Sequence, residues 1–179
     1  MKFTDLHLCA SIDNLEQAKR LFAKSAELGY TQIGVPLPHG VTEDTVERLR
    51  QISNERGLDF VTRLDLVPRS PGELLAGLRR LRRRFEVVSV LCNSKPVARQ
   101  AAKDRRVDLL CFRLSDPSKL FFDRAEAELA SASSAAFEID LAQGLNSFEG
   151  RSGVGLFSRL RREVATAKSS GVPLVISSG

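Results

Sequence analysis

A chain of 179 residues, 42% hydrophobic and 27% charged, has the size of one globular domain, and its composition excludes a disordered or fibrous protein. Its 27 Lys and Arg against 22 Asp and Glu leave a net charge of +5, which suggests a polyanionic partner. Three cysteines without a Cys-x-x-Cys spacing exclude a disulfide scaffold and a zinc ribbon.

Phe3 to Cys9 reads as the first strand. Asp13, with Glu16 three residues on, has the spacing of a capping box for a helix over 14–28 that Gly29 closes. Leu15, Ala18, Leu21, Phe22 and Ala26 form one apolar face at helical spacing. Thr31 to Leu37 is the second strand and Glu43 to Arg56 the second helix; Phe60 to Val67 is the third strand. Ser70-Pro71-Gly72-Glu73 then combines a cap, a proline in the first turn and a reciprocal glutamate. Val87 to Cys92 is the fourth strand, and Ser94 caps a helix carrying Val97, Ala98, Ala101 and Ala102. Val107 to Phe112 is nearly all apolar, as a strand buried on both faces should be. Ser115-Asp116-Pro117 ends it, and Asp123 opens a helix to Ala132. Ala135 to Leu141, a loop over 143–153, a helix from Val154 to Ser170 and a seventh strand, Leu174 to Ser177, complete the order.

Strict alternation of strand and helix implies a parallel sheet with right-handed crossovers. No Gly-x-Gly-x-x-Gly or P-loop follows any strand, which argues against a doubly wound nucleotide-binding sheet. The expected fold is α/β, a TIM-like (β/α) barrel in one domain over 1–179. Only seven strands are counted, so the barrel is expected to be short of its last unit.

In a barrel of this kind, chemistry is expected at the C-terminal ends of the strands. Asp5-Leu6-His7-Leu8-Cys9 looks like a damaged Asp-x-His-x-His opening of the PHP barrel phosphoesterases, with Cys9 where a second His would stand. Asp65, Asp108, Glu138 and Asp140 could add oxygens, but with His7 and His39 the only histidines a hydrolytic metal centre is hard to assemble. Cys9 and His7 are not expected to face one another as a nucleophile pair. No Gly-x-Ser-x-Gly elbow occurs. Cys9, Cys92 and Cys111 each lie in or at the end of a predicted strand, where reduced cysteine serves as a small apolar residue. That usage and the absence of a membrane-length apolar run indicate the cytoplasm.

The basic clusters are more informative. Arg79, Arg80, Arg82, Arg83 and Arg84 crowd the end of the helix begun at Pro71, with no acid between them. The helix dipole accounts for part of this; for the rest, the mutual repulsion of five arginines favours phosphate contact over a merely solvated face. Arg106 lies before the fifth strand beside Lys103 and Arg105; Arg159, Arg161 and Arg162 form a late-helix group partly balanced by Glu163. Arg63, Lys95, Arg99, Arg113, Lys119, Arg124 and Arg151 are expected at or near strand ends, as a second basic face. With Trp absent and a single Tyr, any base stacking falls to Phe or to Arg planes.

The run Arg106-Val107-Asp108-Leu109-Leu110, followed by Asp116-Pro117-Ser118-Lys119, Phe122-Asp123-Arg124-Ala125-Glu126-Ala127 and Phe137-Glu138-Ile139, resembles protein component 3 of archaeal-type ribonuclease P, most strongly over 87–141. The resemblance implies a TIM-like barrel subunit without catalytic residues of its own. It further implies binding to ribonuclease P RNA and to protein component 2, with precursor tRNA as substrate of the complex. Removal of the 5′ leader would then depend on magnesium held by the RNA, and no cofactor would be bound by this chain. The alternative reading is a metal-dependent PHP-type phosphoesterase.

Overall fold

The computed structural model describes residues 2–114, 121–142 and 151–179, with the backbone alone for 151–153. The loop residues Ser115 to Leu120, including Lys119, and 143–150 lie outside the described residues, as does the side chain of Arg151. The strands are β1 (Phe3–Asp5), β2 (Tyr30–Pro36), β3 (Asp59–Leu66), β4 (Val87–Leu91), β5 (Leu109–Cys111), β6 (Ala136–Asp140) and β7 (Leu174–Ser177). Between them run α1 (Leu15–Glu27), α2 (Glu43–Asn54), α3 (Pro71–Leu81) with a 3₁₀ turn (Arg82–Arg84), α4 (Lys95–Lys103), α5 (Arg124–Ser133) and α6 (Arg151–Ser169).

Local chemistry sets the helix starts. Ser70 Oγ accepts the Glu73 amide at 3.2 Å, while the Glu73 carboxylate reaches back to the Arg69 amide at 2.8 Å. Asp123 completes a full capping box with Glu126, worth about 1 kcal/mol as such caps go. At α1 the cap is Asn14, not Asp13: Asn14 Oδ1 accepts the Gln17 amide at 3.0 Å, one residue later than the expected box. Ser94 occupies the N-cap of α4 but makes no side-chain capping bond there.

All seven strands are parallel and hydrogen-bonded in sequence order, β1 to β7. A doubly wound sheet would reverse strand order at a switch point, so this is the TIM-like arrangement. Seven strands nearly close it. At one end of the β7–β1 seam Gly179 N donates to His7 O at 3.0 Å and Ser178 N to Asp5 Oδ1 at 3.1 Å. Elsewhere along the seam Phe3, Leu174 and Ile176 are exposed.

Strand alternation divides the side chains into two compartments. Ile33, Val35, Phe60, Leu64, Val88, Val90, Leu110, Phe112, Phe137 and Ile139 face the helices and join the main apolar core with Phe22, Leu49, Leu78 and Ala101. The other set faces the barrel interior and mixes apolar with polar groups: Val61, Leu109, Cys111 and Ala136 lie on the same face as the buried Arg63, Ser89, Glu138, Asp140 and Ser177. The backbone is pressed close here as well, since a Cβ at Gly34 would lie 2.7 Å from Leu6 O.

Candidate nucleic-acid interface

Barrel enzymes keep their chemistry at the C-terminal ends of the strands, next to the interior. Arg63, expected as a loop cation, lies inside β3 and is 1% exposed. Its guanidinium makes a two-pronged pair with Glu138 (Nη2 to Oε2 at 2.8 Å) and also donates to Asp65 Oδ1 at 2.7 Å and Leu6 O at 2.9 Å. Ser89 and Ser177 hydroxyls donate to the same Glu138 carboxylate at 3.0 and 2.9 Å. A buried charge needs such complete pairing, since desolvation of a lone guanidinium costs several kcal/mol. The loan of the Leu6 carbonyl to Arg63 also explains why the β1 ladder stops at Asp5 rather than running to Cys9.

His7 sits beside this network, Nε2 3.4 Å from Asp65 Oδ2 and Nδ1 3.3 Å from Asp140 Oδ2. The Nδ1 contact is electrostatic and lacks hydrogen-bond alignment. Burial disfavours the imidazolium, but Asp140, Asp65 and Cys9 outweigh it and raise the His7 pKa to about 11. Against expectation, Cys9 Sγ does approach His7 Nε2, at 3.7 Å, because residues 6–10 leave the strand geometry. Cys9 is also exposed, whereas Cys92 and Cys111 are buried apolar fillers whose thiols burial pushes up.

This geometry does not assemble the phosphoesterase alternative. Arg63 takes the Glu138 and Asp65 oxygens that a metal would need, and Asp108 points elsewhere, accepting from the Val88 amide and Arg82. Among the described residues no three His, Cys, Asp or Glu side chains are grouped to hold a metal ion. The cavity bordered by His7, Arg63, Asp65, Ser89 and Cys111 measures about 130 Å³, below the roughly 300 Å³ at which ligand pockets begin.

The exposed cations sort into tied and untied groups. Arg82 is half-buried and donates to Phe85 O at 2.7 Å and Asp108 Oδ1 at 3.1 Å. Arg84 donates to His39 O and Val41 O, holding the β2–α2 loop. Arg79, Arg80 and Arg83 are exposed and make no ion pair among the described residues. Five arginines at this helix end therefore reduce to three with free heads. Arg106 is clasped by Asp104 at 2.7 Å, Lys95 pairs with Asp123 at 2.7 Å, Arg99 with Glu126 at 3.1 Å and Arg124 with Glu128 at 2.8 Å. Lys95, Arg99 and Arg124 lie within the first turns of helices rather than in loops. Arg113, just after β5, is exposed. The chain topology puts Arg79–Arg84 at the N-terminal end of β4, and Lys95 and Arg113 beyond the C-terminal ends of β4 and β5.

One feature escaped sequence reading. Phe112, Phe121, Phe122 and Phe137 form an aromatic cluster, with Phe122 and Phe137 stacked at 4.8 Å. The available signal was the Phe121-Phe122 pair directly before the Asp123 cap, a position where apolar residues pin the chain entering a helix.

Fold and surface together define a class: a TIM-like barrel with a buried charged network in its interior and a set of exposed cations on its described surface. The chain belongs to the RNase P subunit p30 family, which it matches over residues 2–179. It is 32% identical over 108 residues to ribonuclease P protein component 3 of Archaeoglobus fulgidus, covering 60% of this chain and 51% of that one. It is 24% identical over 176 residues to the component 3 protein of Methanococcoides burtonii, covering 98% and 70%. The chain thus spans about half the length of the first of these relatives. In fold it is similar to a chain in the cryo-EM structure of archaeal ribonuclease P with mature tRNA, at TM-score 0.79 and 19% identity over 98% of this chain and 73% of that one. Among the described residues no helix is long and apolar enough to cross a membrane.

Proposed function

We propose that this chain is a non-catalytic protein subunit of ribonuclease P, in the cytoplasm, that binds the catalytic RNA during removal of 5′ leaders from precursor tRNA. The observation that carries this reading is the family match along essentially the whole chain. The distribution of charge supports it: the interior acids are neutralised internally, while Arg79, Arg80, Arg83 and Arg113 stay exposed. Cations in that state neutralise phosphate and release counterions, lowering the electrostatic cost of folding a polyanion. Magnesium on the RNA would supply the chemistry, and protein component 2 is the expected protein partner.

The test is titration of the ribonuclease P RNA with this protein at several salt concentrations. Affinity should fall steeply and linearly in log–log form. Binding that is absent, or indifferent to salt, would overturn the proposal.

A further inference from the structure

Outside the barrel, α6 packs against α5, and a cavity of about 400 Å³ lies beside the entries to α4 and α5. Its rim carries Lys95, Arg124, Arg159 and Arg162, its wall Phe121, and its floor Glu163. Lys95 and Arg124 are partly occupied by Asp123 and Glu128. Arg159 and Arg162 make no ion pair among the described residues, although both lie close enough to Glu163 to favour its ionised form.

Glu163 is the unusual member. It is 5% exposed, and Oε1 accepts the Phe122 amide at 3.2 Å. Oε2 has no hydrogen-bond partner among the described residues. Burial pushes its pKa up to about 7, only partly offset by the Phe122 amide and the two arginines. An unsatisfied buried acceptor is costly, and a native structure that keeps one calls for a reason. A donor brought by a ligand would supply it. Oε1 also keeps acceptor capacity beyond its one bond, so the carboxyl can receive two adjacent donors.

Phe121 is half-buried, with its ring fixed at right angles to Phe112 at a centroid distance of 5.5 Å. A ring held in this way offers a stacking platform already in position. Phosphate-binding cations, an aromatic platform and a deep acceptor within one cavity are the elements that recognise a splayed-out base in single-stranded RNA. Guanine presents two neighbouring donors, N1–H and N2–H, on its Watson–Crick edge.

We propose that this cavity is a subsite for one unstacked guanine nucleotide of an RNA strand, its base on Phe121, its Watson–Crick edge on Glu163 and a phosphate between Arg159 and Arg162. The inference rests on the RNA-binding reading above and specifies one site within it. The site is open and rimmed by long cations. A strand threading past suits it better than a free nucleotide.

The experiment is fluorescence anisotropy on the whole chain with two labelled ten-nucleotide RNAs, all-uridine or with one central guanine. The guanine-containing RNA should bind about 10-fold tighter. Glu163→Gln, which keeps the acceptor for the Phe122 amide, should cut that preference to about twofold. Replacing Arg159 and Arg162 by Ala, both on α6, should weaken both RNAs and flatten the log K against log salt slope by roughly 0.7, the loss of one phosphate contact. Equal affinity for both RNAs, or a guanine preference that survives Glu163→Gln, would overturn the subsite while salt-dependent binding left the wider reading standing. No RNA binding at all would overturn both. Competition by free guanosine monophosphate at concentrations equal to the oligonucleotide would overturn the strand as the source of the base.

Discussion

Arg63 and Glu138 are the most exposed to a simple stability test, because almost everything inside the barrel depends on their pairing. Replacing Arg63 by Ala leaves the Glu138 carboxylate at 0% side-chain exposure with only the Ser89 and Ser177 hydroxyls as donors. It also strands the Leu6 carbonyl. Removing one partner of a buried ion pair costs about 3–5 kcal/mol, which for a chain of this length lowers Tm by roughly 10–15 °C. Glu138→Ala should cost a similar amount by leaving the guanidinium with only Asp65 and the Leu6 carbonyl as partners. The double variant Arg63→Leu, Glu138→Leu removes both charges and refills the space, so it should lie within about 2 kcal/mol of the wild type. Urea unfolding followed by far-ultraviolet circular dichroism, chosen because the chain has no Trp, gives all four stabilities and the coupling energy. Single losses below about 1 kcal/mol, or a double loss equal to the sum of the singles, would refute the account of the interior.

Other tests follow from the same geometry. The His7 pKa, raised to about 11 from 6.5, means its stabilising charge is fully present below pH 6.5 and is lost as pH climbs toward 11. His7→Gln should therefore be most destabilising near pH 6 and less so at pH 9–10, read from paired urea titrations. Glu163, with its pKa raised to about 7 from 4.5, costs stability as pH rises from 4.5 through 7. Glu163→Gln should match the wild type below pH 4.5 and exceed it at pH 8 by on the order of 2–3 kcal/mol. Replacing Arg79, Arg80 and Arg83 together by Ala should leave the melting temperature within a few degrees but flatten the salt dependence of RNA binding by roughly 2–3. Arg84→Ala should instead lower stability by about 1–2 kcal/mol, because its bonds to His39 O and Val41 O hold a loop.

The strand–helix alternation was legible because each unit announces itself locally. The Val107 to Phe112 run reads as a buried strand, and the Ser70-Pro71 and Asp123 caps read as helix starts. The α1 cap was misplaced by one residue, since Asp13 and Asn14 are both good caps and only geometry chooses between them. The interior network was harder to see. Arg63 looked like another cation near a strand end, but Arg63 and Asp65 share one face of β3, as do Glu138 and Asp140 on β6. Charged residues two positions apart on one face of a buried strand, Arg63 with Asp65 and Glu138 with Asp140, were the available signal. Which surface arginines are free could be read only where the partner is local, as for Arg106 with Asp104 and Arg124 with Glu128. Pairings such as Arg82 with Asp108 and Arg99 with Glu126 join residues 26 and 27 positions apart, and only the folded chain brings them together.

The central claim is that this protein supports an RNA enzyme through its cations and contributes no reacting group. Its most direct test is precursor-tRNA cleavage by the ribonuclease P RNA across a magnesium titration, with and without this chain and component 2. The account predicts no cleavage by the protein alone. It also predicts that the protein lowers the magnesium requirement, that the effect fades as salt screens the charges, and that the cleavage position is unchanged. Leader removal by the protein in the absence of any RNA subunit would contradict it.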